Sequence, residues 1–465
     1  MTRSDDTPPP AGDSAVSPGP VSPGAAPVTD PTRAGTEQVR LAMATEAPLD
    51  PVADGAGSRI LAKGTDEEPA PGNQRSLIGA AGWAVSGFSL AYAVFHLVSL
   101  NIYPLETWNF RMLHVTGALI LGFALAAAGT LTGRPVSGGQ HRAAWAVAGL
   151  AAVPLAYALV QVVVYWQSIG QPPPPTPAWE RLNFGYPLLA GTVIAVLGAW
   201  FTRAPDHRIH PCDIALILAV VASTGFMLVA LDGYAMRMRA GTPFSSPGNL
   251  YAALVGVILI CELTRRVAGL ALVVIAAVFV LYSFAGPWLP GFLAHGGFTA
   301  SRFFTYVFTD NGILGATTAV SSTYIILFII FAAFLQASKV GDFFVNFAFS
   351  LAGQSRGGPA KVAVFASGLM GMINGTSAGN VVATGSLTIP LMKRVGYPAK
   401  TAGAVEAAAS TGGQIMPPIM GAGAFIMAEV TGIPYTDIAI AAIIPSLLYF
   451  ASVLFMVDLA AARMG

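Results

Sequence analysis

Two stretches concentrate polar groups inside otherwise apolar sequence: Ile373-Asn374-Gly375-Thr376-Ser377-Ala378-Gly379-Asn380 and Ser410-Thr411-Gly412-Gly413-Gln414-Ile415-Met416-Pro417-Pro418. Their chemistry is that of neutral oxygens. Hydroxyls, side-chain amides and freed backbone carbonyls are the ligands that a hard monovalent cation takes, and they hold it without burying a carboxylate. An acid at the bilayer centre costs on the order of 2.5–3.5 kcal/mol by insertion scales. Pro417 and Pro418 remove two backbone donors and so release carbonyls one turn upstream. Asn374-Gly375 favours chain reversal.

The elements that must position these groups are membrane helices. Of 465 residues, 54% are hydrophobic and 10% charged, against about 25% charged in an ordinary soluble domain. Mean hydropathy is +0.64. Apolar runs of about 20 residues, the length that crosses a bilayer, recur from Leu77 onward. Spans are predicted over 77–100, 112–132, 144–166, 183–202, 212–231, 249–263, 267–286, 319–338 and 436–459. Between the last two lie 362–392, basic at both ends (Lys361; Lys393-Arg394), and 400–430, interrupted at Pro417-Pro418. Equal charge at its two ends predicts that 362–392 enters and leaves on one face as a re-entrant hairpin. Non-helical backbone at that depth must be buried in protein or line a wet cavity. The fold class expected is all-α: a polytopic helical membrane protein with a re-entrant helical hairpin and a broken helix.

Net charge is +1, but residues 1–75 carry 11 acids and 6 bases, leaving 12 acids and 18 bases for the rest. The first 75 residues are rich in Pro, Gly and Ala without apolar periodicity and are predicted to be a disordered acidic tail. They show no basic and then apolar run of the kind that marks a cleaved secretory signal. No basic patch is interleaved with aromatics, so nucleic acid is not an expected partner; membrane lipid is. Arg134, Arg142, Arg203, Arg208, Arg265 and Arg266 fall on loops that lie inside if the amino terminus is cytoplasmic, with Arg265 and Arg266 read as topology anchors.

The segments Gly357-Gly358-Pro359-Ala360-Lys361, Gly375-Thr376-Ser377-Ala378-Gly379-Asn380, Ile389-Pro390-Leu391-Met392-Lys393-Arg394 and Gly403-Ala404-Val405-Glu406, running on to Gly412-Gly413-Gln414-Ile415-Met416-Pro417-Pro418, resemble the large membrane subunit of tripartite ATP-independent periplasmic (TRAP) transporters. The similarity is to fused permeases in which small and large subunits share a chain. It is specific over 249–459 and topological over 77–231, which divides the chain into 1–75, a small-subunit-like scaffold at 76–248 and a transport domain at 249–465. The resemblance implies a sodium-coupled permease of the bacterial inner membrane that imports an organic acid delivered by a periplasmic solute-binding protein. Sodium as coupling ion would be held by Thr376 and Ser377 and by carbonyls of Gly413, Met416 and Pro418. Asn380, Thr384, Thr411 and Gln414 would lie in the vicinity of the substrate.

The family's large subunit has two inverted halves, and the 375–418 pattern occurs once here. Either the sequence continues beyond Gly465, or another chain supplies the second half, or the protein is a non-transporting scaffold or assembly subunit. No nucleophile accompanied by a base is apparent, so no enzymatic activity is expected. Glu406, the only acid between Asp342 and Glu429, is read first as an interfacial partner of Lys400 or Lys393. A gate contact and proton coupling are the alternatives. His207 and His210 lack further ligands for a metal. His96, His114 and the cysteines Cys212 and Cys261 are read as packing residues.

Overall fold

A computed structural model of the protein describes residues 73–129, 138–169, 175–202 and 208–464. The tail expected over 1–75 thus lies, apart from its last three residues, outside the described residues, as do Arg134, Arg203 and His207. The described residues are helical, with one isolated antiparallel bridge between Gln74 and Ala126. Among them, seven helices are long and apolar enough to cross a membrane, and the chain is an all-α, multi-pass membrane protein.

Helices α1 (Gly79–Asn101), α2 (Thr107–Leu125), α3 (Gly138–Ser168), α4 (Tyr186–Phe201), α5 (Pro211–Ala230) and α6 (Pro247–Ala268) come first. α2 to α6 share one core, in which Phe123, Leu155, Leu188, Leu216, Phe226 and Leu259 are buried. Lipid is as apolar as leucine, so such helices associate through close packing of small residues. Gly191 illustrates this: a Cβ there would stand 2.6 Å from Leu155 Cγ and 2.9 Å from the Ala151 carbonyl oxygen. Proline at the first turn and a side-chain cap set the starts of α5 and α6. His210 accepts from the Cys212 amide and Ser246 from the Asn249 amide, satisfying donors that the helix leaves open. The core runs past residue 248, since α6 packs within it together with Phe308 and Leu314.

Arg265 and Arg266 do more than anchor a loop. Both bind Glu262, at 2.9 and 2.7 Å, and Arg266 also binds Asp213 at 2.9 Å, which in turn pairs with Arg75. Arg75 donates to the carbonyls of Phe123 and Ala124, Arg266 to that of Ala126 and Arg265 to that of Ala128. The end of α2 carries unpaired carbonyls and partial negative charge, so three guanidinium groups are matched by two carboxylates and one helix terminus. Arginine's fork of donors makes it the side chain suited to this. Trp200 Nε1 donates to Glu262 at 2.9 Å. Trp200→Phe removes that bond while both arginines remain, and is expected to lower stability by about 1–2 kcal/mol, read from thermal unfolding in detergent.

α7 (Leu270–Ala285) and α8 (Ala300–Val307) lead to α9 (Ala316–Val320), which continues through a π-helical turn, Ser321–Ile325, into α10 (Ile326–Ala337). At that turn Ser321 Oγ lies 3.1 Å from His114 Nε2, and His114 Nδ1 lies 2.9 Å from His96 Nε2 and 2.8 Å from Tyr92 Oη. The two histidines pack as expected, yet they form a hydrogen-bonded chain from α1 and α2 to the π turn.

The remaining helices are α11 (Val340–Ala352), α12 (Gly358–Asn374), α13 (Ser377–Arg394), α14 (Ala399–Gly412), α15 (Ala422–Thr431) and α16 (Tyr435–Met464). α12, α13, α14 and α16 enclose a second core around Ala363, Val364, Met392, Ala409 and Phe450. Asp458 on α16 fixes the start of α12 by pairing with Lys361 at 2.6 Å and with Arg356.

Candidate cation site

The turn between α12 and α13 is two residues long. Gly375 takes φ +60°, a conformation open to glycine at little cost, and Thr376 is extended. A Cβ on Gly375 would collide with the Met420 carbonyl oxygen, so glycine is required here for close approach as well as for φ. The helical hairpin is therefore present, its tip pressed against the chain that follows α14.

That chain is the break. Between Gly412 and Ala422 the backbone leaves the helix through a cis Pro417-Pro418 bond and Met420 at φ +56°. Gly421 N–H returns to the Gln414 carbonyl at 2.7 Å, closing the loop. Gly413 and Gly371 are in backbone contact. A Cβ on Gly413 would stand 2.7 Å from Gly371 Cα and 3.1 Å from Asn380 Nδ2. Hairpin tip and break thus meet, as their shared polar character predicts.

The candidate residues distribute as follows. Gly413 is buried, Met416 and Ser377 are half-buried, and Thr376 and Pro418 are exposed. Asn380 is fully buried; its Nδ2 donates to the Ser367 carbonyl at 2.7 Å, while its Oδ1 has no hydrogen-bond partner among the described residues. An orphaned buried acceptor carries a free-energy penalty, and beside two polar chain reversals it is the kind of oxygen that a cation satisfies. Hydroxyls, carbonyls and an amide oxygen are the oxygen types that a hard cation takes.

The four residues assigned to the vicinity of the substrate do not share one surface. Thr384 is buried with Asn380, whereas Thr411 and Gln414 are exposed, Thr411 bonding back to the Ala407 carbonyl.

Glu406 corrects its first reading. It is fully buried and reaches neither Lys393 nor Lys400; its carboxylate accepts from Ser367, Thr384, Thr388 and Ser410. Asn380, Thr384 and Thr388 recur at intervals of four and so lie on one face of α13, as do Glu406 and Ser410 on α14. Four hydroxyl donors are what a buried carboxylate needs in place of water. The periodicity is the signal that sequence reading passes over.

Secondary transporters commonly build substrate and ion sites from discontinuous helices that meet inside a multi-pass bundle. Residues 255–465 match the family described as Tripartite ATP-independent periplasmic transporter, DctM component. The C4-dicarboxylate TRAP transporter large permease protein DctM of Pseudomonas aeruginosa is 32% identical over 121 residues, which are 26% of this chain and 28% of that protein. The uncharacterized protein y4mL of Sinorhizobium fredii is 29% identical over 110 residues, 24% of this chain and 26% of that protein. The chain therefore spans little more than a quarter of the length of either curated relative. No solved structure matches it.

Proposed function

We propose that the chain is a membrane permease component of a sodium-coupled TRAP secondary transporter in the bacterial inner membrane. Its amino terminus is cytoplasmic, and it imports an organic acid handed over by a periplasmic solute-binding protein. The observation that carries this reading is the contact of hairpin tip and break, with the orphan Asn380 Oδ1 at the junction. Thr376, Ser377 and the carbonyls of Gly413, Met416 and Pro418 are the proposed ligands of the ion. Because the 375–418 pattern occurs once, a further polypeptide segment with the second inverted half completes the transport unit. The substrate class, a dicarboxylate-like anion, follows the name of the Pseudomonas relative.

The test is uptake of radiolabelled succinate into proteoliposomes that hold this chain with the second half and the binding protein. An inward sodium gradient is expected to accelerate uptake at least about tenfold over a potassium control, a factor worth about 1.4 kcal/mol. Ser377→Ala, which removes one ligand, is expected to raise the sodium concentration for half-maximal uptake by about tenfold and to leave the maximal rate nearly intact. Uptake indifferent to sodium overturns the ion assignment, and no uptake of any tested organic acid favours a scaffold role.

A second reading has its own observation. Glu406, buried among four hydroxyls one helix away from the hairpin, can take up and release a proton, so a proton gradient is the alternative driving force. In the same vesicles an acid-outside pH gradient without sodium separates the two readings.

A further inference from the structure

The Pro417-Pro418 break leaves several carbonyls without backbone donors, and one side chain from outside the loop reaches two of them. Tyr435, at the first turn of α16, directs its hydroxyl at the carbonyl oxygens of Pro418, 2.7 Å away, and Ile419. The ring is held in place by an aromatic stack. It lies parallel to Phe425 of α15 with centroids 4.4 Å apart, and Tyr324 stacks on Phe425 at 5.7 Å, with Phe328 completing the cluster. Gly432, at φ +70° after α15, and Pro434, whose carbonyl receives the Asp437 amide, turn the chain so that Tyr435 comes back over the loop that precedes α15. Tyr324 itself belongs to the π turn Ser321–Ile325. Such turns are often found at functional sites.

The consequence for ion binding is geometric. A carbonyl oxygen has two lone pairs, so the Pro418 oxygen can accept from Tyr435 and still face a cation. A loop of two prolines and a residue in left-handed conformation has few hydrogen bonds of its own to fix where its oxygens point. From this geometry we infer that Tyr435 is a positioning residue of the cation site, its hydroxyl orienting the carbonyls at 418 and 419 toward the hairpin tip. The inference rests on the cation reading of hairpin and break.

Tyr435→Phe keeps the ring and its stack and deletes only the hydroxyl. Tyr324→Phe deletes a hydroxyl from the same stack that makes no bond to the loop, and serves as the control. Two measurements on the purified chain in lipid nanodiscs separate the outcomes: saturable binding of 22Na+, and amide hydrogen exchange over the peptide 417–424. For Tyr435→Phe the dissociation constant is expected to rise about tenfold at unchanged site number, with faster exchange at Ile419, Met420 and Gly421; Tyr324→Phe should match wild type in both. Equal or tighter sodium binding by Tyr435→Phe overturns the inference. If the wild-type chain binds no sodium, the cation reading fails, and exchange alone decides whether Tyr435 holds the loop, unchanged exchange in Tyr435→Phe refuting it.

Discussion

Gly413→Val is expected to abolish coupled uptake, lowering the rate at least about a hundredfold, equivalent to about 2.7 kcal/mol or more of lost stabilisation. The reason is steric and local. At Gly413 even a single Cβ meets Gly371 Cα at 2.7 Å and Asn380 Nδ2 at 3.1 Å, and one of those obstacles is backbone, which cannot swing aside like a flexible side chain. Valine adds two methyl groups to that collision, so hairpin and break must separate and the proposed oxygens diverge. Gly423→Ala on α15 and Gly403→Ala on α14 supply the contrast, because a Cβ at either position meets nothing within 4 Å. Gly403 lies inside α14 and Gly423 in the first turn of α15; in a helix interior alanine gains up to about 1 kcal/mol over glycine, and both variants should transport as wild type. A uniform loss across the three would mean that flexibility, and not approach, is what the glycines supply.

Glu406→Ala should be the most destabilising single change in the transport segment. Thr384 and Thr388 each have a fallback acceptor in the carbonyl four residues earlier, Asn380 and Thr384 respectively. Ser367 keeps a neighbour in Thr384 Oγ1, 3.0 Å away, whereas Ser410 has no other side-chain partner in this cluster. The penalty therefore comes from one or two stranded hydroxyls plus a cavity between α12, α13 and α14, about 3 kcal/mol or more together. Glu406→Gln preserves the volume, and freely rotating hydroxyls can accept from its amide, so it should unfold within about 1 kcal/mol of wild type. That difference gives the pair its diagnostic use. A folded Glu406→Gln protein that still responds to a sodium gradient assigns the carboxylate to structure, while a folded variant that no longer responds to a pH gradient assigns it to proton movement.

The hairpin and the break are legible in the sequence because both are written locally. Asn374-Gly375 permits reversal, and Pro417-Pro418 forbids helix. That the two meet could also be anticipated, since polar backbone in lipid must find a partner. The ion network of Arg75, Asp213, Glu262 and Arg266 is not legible in this way, because its members are separated by up to 191 positions in the chain and their charges look like loop markers until α2, α5 and α6 converge. Glu406 misleads for a related reason. Lys400, six residues away, and Lys393, thirteen away, suggest an interfacial pair, while three of the four hydroxyls that satisfy it come from α12 and α13, and only the four-residue spacing of Asn380, Thr384 and Thr388 on α13 hints at a polar face turned inward. Tyr435 is invisible to sequence reading, since a tyrosine after Gly432-Ile433-Pro434 resembles any interfacial aromatic. Its role depends on how the chain doubles back over the Pro418 carbonyl.

Equilibrium binding of 22Na+ to the purified chain in nanodiscs, compared among wild type, Gly413→Val and Gly423→Ala, is the most direct measurement. Saturable binding that survives Gly423→Ala and vanishes in Gly413→Val is the predicted result. Binding that persists undiminished in Gly413→Val, or none in the wild-type protein, contradicts a cation cage formed where the hairpin meets the broken helix.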